Sequence, residues 1–136
     1  MEVYPRSIRR GSAQHSIYVE LRDSTTNDVK TGMAYNSAGI VTSYTRGQGA
    51  RVAITPVDLA APTTVWTSGG FKEVDAANCP GLYRFDIPDA AFATNDLSDV
   101  VTVSIKMTNV KSVNIMIPLS DVSDVALSPG TVRVNS

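Results

Sequence analysis

Hydrophobic and polar residues alternate along most of this chain. Ile17, Val19 and Leu21 fall on one side of a two-residue period, with Tyr18 and Glu20 on the other. Tyr83, Phe85 and Ile87 alternate with Arg84 and Asp86, and Val101, Val103, Ile105 and Met107 with Thr102, Ser104 and Lys106. Val113, Ile115 and Ile117 alternate with Asn114 and Met116, and a shorter run holds Val52, Ile54 and Val57. A period of two buries one face of a strand and wets the other. That is the signature of antiparallel rather than parallel sheets. The expected core is Ile17, Val19, Leu21, Val52, Ile54, Phe71, Tyr83, Phe85, Val101, Val103, Ile105, Ile115 and Ile117.

Breakers separate the runs. DSTTNDVKTG (23–32) reads as a polar loop, RGQGAR (46–51) as a hairpin connection and TNVKS (108–112) as a short turn. In PGLYRFDIPDAAFA (80–93), Pro80-Gly81 predicts a tight turn leading into a strand. Tyr83 is placed to turn its ring inward and return its hydroxyl to backbone. The competing reading is a ligand loop that exposes Tyr83 and Arg84. PDAAFA (88–93) is the only helix candidate, of one or two turns. The expected fold is all-β: a single antiparallel β-sandwich, Ig-like or jelly-roll-like, with one short helix and extended terminal arms. Its parts are an N-terminal arm (1–14), the sandwich (15–119) and a C-terminal arm or tail (120–136), where alternation fades.

Composition narrows the function classes. With 136 residues the chain is long enough for one domain with its own core. Its net charge of −1 gives no general attraction to nucleic acid or to an anionic membrane. The local exception is PRSIRRG (5–11), a short basic arm with Arg6, Arg9 and Arg10. Cys79 is the only cysteine, which rules out an intrachain disulfide and fits assembly in a reducing cytoplasm. The first residues lack the apolar core of a signal peptide, and no apolar run has the length of a membrane helix.

Catalytic patterns are sparse. A Ser-His-Asp triad would have to use His15, the sole histidine, and a Cys-His pair would need Cys79, next to an expected turn. One His and one Cys give no metal-ligand cluster, so no metal or cofactor is expected. Asp96 and Asp99, or Asp121 and Asp124, lack the spacing of a calcium loop. SGG (68–70) precedes a strand, not the helix a phosphate cradle requires. Glu73 and Asp75 share a strand face without a visible partner across a cleft. These features predict a protein that is not an enzyme. Nor do Tyr18, Tyr44, Tyr83 and Phe85 accompany the basic stripe of a nucleic-acid-binding sheet.

The succession TGMAYNSAGIVTSYTRGQGARVAITPVDLAAPTTVWTSGGFKEVDAANCPGLYRFDIPDAAFA, followed by VVTVSIKMTNVKSVNIMIPL, resembles a group of small structural proteins of tailed bacteriophages and prophages. The likeness spans residues 15–119. It rests on a tyrosine-containing SAG block, a W-SGGF-E-DA-N-PG-YR-D-PDAA block and a closing strand that ends in Pro-Leu. Cys79 departs from the group, whose members carry an apolar residue there. That implies a small buried apolar role for the thiol. The resemblance implies a virion component, made in the bacterial cytoplasm. It would be a capsid decoration or cement protein binding the major capsid protein or other virion proteins, as a dimer or trimer. The alternative is a neck, tail or baseplate component with an Ig-like module that contacts the host surface, using Trp66, Tyr35 or Tyr44. In either case the assembly interface is expected in the arms: Arg6, Arg9 and Arg10 at one end, Val125, Leu127, Val132 and Val134 at the other.

Overall fold

The computed structural model describes residues 2–94 and 99–121. Ten strands follow in chain order: β1 Glu2–Val3, β2 Ile8–Arg9, β3 His15–Glu20, β4 Val41–Arg46, β5 Val52–Ile54, β6 Val57–Asp58, β7 Gly70–Asp75, β8 Cys79–Ile87, β9 Val100–Met107 and β10 Val110–Ser120. A single 3-10 turn, Asp89–Phe92, follows β8. The strands form an all-β sandwich of two sheets. The larger runs β1-β10-β9-β4-β5, with β2 also on β10, and the smaller runs β3-β8-β7-β6.

Alternation sets which side of each sheet faces inward. Ile17 lies opposite Phe85 and Val19 opposite Tyr83, while Val103 lies between Ile115 and Tyr44. These inward residues fuse into one core, closed at one end by Phe92. Phe71 stacks on Tyr83 with ring centroids 5.2 Å apart and meets Phe85 edge-on. Every expected core residue is buried except Val52, which is 44% exposed. It sits on a three-residue edge strand paired only with β4, at the rim of the sandwich. The hairpin over 46–51 and the turn at Thr108-Asn109 stand where the sequence placed them.

Three expectations need correction. First, Pro80-Gly81 does not make the turn. The chain reverses at 76–78, where the Asp75 carboxylate accepts the amides of Ala77 and Asn78, each at 3.0 Å. Pro80 and Gly81 lie inside β8, where the register against β7 shifts between Glu73 and Asp75. A bulge tolerates both the missing proline N–H and a positive φ. Gly81 has φ +84°, and a Cβ there would come within 2.9 Å of Val29. Second, the sheets are not wholly antiparallel: β1 and β2 pair with β10, and β6 with β7, in parallel. Third, the N-terminal segment expected as an extended arm is part of the sandwich body. Glu2–Val3 and Ile8–Arg9 line the edge of β10, and Ile8 is buried. An eleven-residue strand with an open edge invites association, and the N-terminal segment covers it.

Candidate assembly surfaces

Among the described residues, the charged residues Arg46, Arg84 and Asp86 are buried as a whole, backbone and side chain together. Two stand on the outer face of β8, which strict alternation assigns to water. The connection 59–68 folds over that face instead. The Asp86 carboxylate receives both ends of the Arg84 guanidinium at 2.8 Å, the Ser16 hydroxyl at 2.6 Å and the Thr67 amide at 3.0 Å. Arg84 also donates to the Pro62 carbonyl at 2.8 Å, so the pair fastens the connection at two points. Burial alone would raise the Asp86 pKa, but the hydrogen bonds from Arg84, Ser16 and Thr67 hold it below its ordinary value. Gly70 makes the close packing possible, because a Cβ there would meet Leu59 at 2.7 Å and Asp86 at 2.8 Å. Arg46 donates to the carbonyls of Ala91 and Ala93 at 3.2 and 3.0 Å, holding the 3-10 turn against β4.

Tyr83 acts on the opposite loop. Its hydroxyl donates to the Lys30 carbonyl at 2.8 Å and accepts the Met33 amide at 3.0 Å. Burial pushes this phenol up to about 12. The inward ring and the backbone-bound hydroxyl match the sequence expectation, and neither Tyr83 nor Arg84 is an exposed ligand-loop residue. Glu73 assists by accepting the amides of Gly32 at 2.9 Å and Gly81 at 3.3 Å. Asp23 caps the same loop through Thr25 and Thr26, hydrogen bonds that bring its carboxyl down to about 2.

His15 comes within 2.7 Å of the Ser12 hydroxyl through Nε2 and packs edge-on against Phe92. The Ser12 hydroxyl has one proton and donates it to the Arg9 carbonyl at 2.6 Å. It therefore accepts from Nε2–H, which fixes the neutral tautomer. A nucleophilic pair requires the reverse polarity, with imidazole accepting the hydroxyl proton. Burial lowers the His15 pKa and nearby Asp89 partly opposes the shift. The Asp89 carboxylate itself accepts the Gln14 amide at 2.7 Å. This cluster fixes the chain between β2 and β3. Cys79 is a half-buried free thiol.

The arm residues are dispersed. Arg6 and Arg9 are exposed. Arg10 is not: its side chain is 8% exposed and binds Asp99 at 3.0 Å and Asp121 in a second ion pair. It ties the start of β9 to the end of β10. Val125, Leu127, Val132 and Val134 lie outside the described residues. Of the aromatics expected for host contact, Tyr44 is core, Trp66 is half-buried with its indole N–H on the His15 carbonyl at 3.2 Å, and Tyr35 lies at the surface. Tyr18, at 57% exposure, is a more open ring.

The outer face of the large sheet was not singled out by sequence. Ser43 lies beside Ser104, which lies beside Asn114, and Thr45 lies beside Thr102. The Ser104 hydroxyl bonds Asn114 at 2.7 Å. The polar half of each alternating strand predicted such a face, but its character shows only once the register is known. Among the described residues no group of three His, Cys, Asp or Glu could hold a metal ion, and no helix is long and apolar enough to cross a membrane. Comparison with protein families, with characterised proteins and with solved structures finds no match in any of the three.

Proposed function

We propose that this chain is a structural component of a tailed-bacteriophage particle, acting as a decoration or cement protein that binds the outside of the head and bridges neighbouring capsomers. One observation carries the reading within the molecule: the buried charges Arg46, Arg84 and Asp86 all fasten loops to the sandwich. The body is thus stiffened, and its contact surfaces are offered on a fixed frame. A stiff module adds contact area at shell seams without chemistry. The resemblance of residues 15–119 to phage structural proteins supplies the setting. A neck, tail or baseplate role with host contact calls for a gathered aromatic patch. Tyr44 is buried and Trp66 is engaged with the His15 carbonyl, which favours the head. The test is the copy number of this chain in purified particles, by quantitative mass spectrometry against the major capsid protein. A ratio near that of the shell subunit is expected. A ratio of a few per cent would move the protein to the neck or tail, and its absence would remove it from the virion.

A further inference from the structure

Acidic residues are unevenly placed in this fold. The chain has 13 Asp and Glu, yet in the large sheet β2, β4, β5, β9 and β10 carry none and β1 carries only Glu2. The smaller sheet has Glu20, Asp58, Glu73, Asp75 and Asp86 on its strands. The acids that flank the large sheet at one end, Asp99 and Asp121, share the one guanidinium of Arg10, which leaves a single net negative charge there. On the outer face, Thr45, Ser104, Ser112 and Asn114, with the buried Ser43 and the apolar Val41 and Ile105, line a shallow groove of about 310 Å³, with Arg51 and Lys106 also on its wall. Lys106 pairs with Val41 at one end of β4, and Arg51 directly precedes β5 at the other. Neither cation has a carboxylate partner among the described residues.

From this we infer that the outer face of the large sheet is a docking surface for an acidic protein segment, with Arg51 and Lys106 as its two charge contacts. Charge complementarity selects the partner, since the groove wall offers two cations, hydroxyls and an amide but no carboxylate. The short side chains between the cations lose little rotamer freedom on contact. No aromatic ring lines the groove to stack on a sugar, which favours polypeptide over glycan. Four strands about 4.8 Å apart and five residues deep give a footprint of about 300 Å². That is well below the roughly 800 Å² per partner of a standard interface, so a single contact is weak and salt-sensitive. Repetition over many copies would make it firm. The inference stands whether or not the partner is a phage shell.

The experiment is a titration of the isotope-labelled full chain with poly-L-glutamate at low ionic strength, followed by amide resonances. Shifts should centre on Ser43, Thr45, Ser104, Lys106 and Asn114 and disappear with added salt. The double variant Arg51→Glu with Lys106→Glu should weaken binding by about tenfold or more. The control Lys72→Glu, on the other sheet, should leave it unchanged. The amide spectrum of each variant reports directly whether it has folded. No binding, shifts centred on Arg6 and Arg9, or undiminished binding by the double variant would each overturn the inference. So would binding of hyaluronan in place of poly-L-glutamate, which would make the face a glycan site. Absence of the chain from particles, with poly-L-glutamate binding intact, would overturn the virion reading alone.

Discussion

Tyr83 shows how much of this fold can rest on one side chain. Its ring stacks on Phe71 in the core while its hydroxyl holds two backbone groups of the loop between β3 and β4. Tyr83→Phe keeps the ring and orphans the Lys30 carbonyl and the Met33 amide. The expected loss is about 1–3 kcal/mol in denaturant unfolding. The same phenol sets an alkaline limit. Its folded pKa, about 12, exceeds the ordinary 10.0. Its stabilising contribution is therefore complete below pH 10.0 and lost as pH rises through about 12, a limb that Tyr83→Phe should flatten. His15 works at the other end of the scale. Its folded pKa lies below 6.5, so the neutral imidazole stabilises fully above that pH and the benefit fades as pH falls through the folded value. Unfolding midpoints measured across this range should slope downward toward acid in the parent, and the slope should be reduced in His15→Gln.

At the scale of elements, β8 differs from an ordinary sandwich strand because both of its faces are covered. The core takes Tyr83, Phe85 and Ile87, and the connection 59–68 covers Arg84 and Asp86. Removing one member of a buried ion pair leaves the other charge uncompensated. Asp86→Ala should therefore cost about 3–5 kcal/mol and open the 59–68 connection to limited proteolysis. Unchanged stability together with unchanged cleavage would show that the connection is held by other contacts. Sequence made β3, β8, β9 and β10 legible because each is long enough to display its period. It could not reveal β1, β2 and β6, since two residues have no period and a parallel pairing leaves no local mark. The Pro80-Gly81 pair misled because its turn chemistry is equally the chemistry of a bulge, while Asp75 and Asn78, three residues apart, made the turn. Arg84 and Asp86 read as wet because alternation records which face a residue is on, not whether a loop returns to cover it. The candidate docking face was present as scattered serines and threonines, and only the register brings them side by side.

For the whole molecule, the two ends of the chain are predicted to do different work. The N-terminal strands belong to the body: they cover the edge of β10, Ile8 is buried, and Arg10 ties Asp99 to Asp121. Deleting residues 1–9 forfeits about 1.5–3 kcal/mol from the burial of Ile8 alone. It also bares a strand edge suited to pairing between copies. The expected result is a lower unfolding midpoint with increased self-association by light scattering. Deleting residues 122–136 leaves every described strand in place, because β10 ends at Ser120. That variant should unfold at the parent midpoint. If the hydrophobic residues Val125, Leu127, Val132 and Val134 form the assembly arm, it should also lose binding to particles or the ability to oligomerise. Comparing the two deletions separates folding from assembly. A C-terminal deletion that binds like the parent would transfer the assembly role to the body, where the groove between Arg51 and Lys106 on the large sheet becomes the first surface to alter.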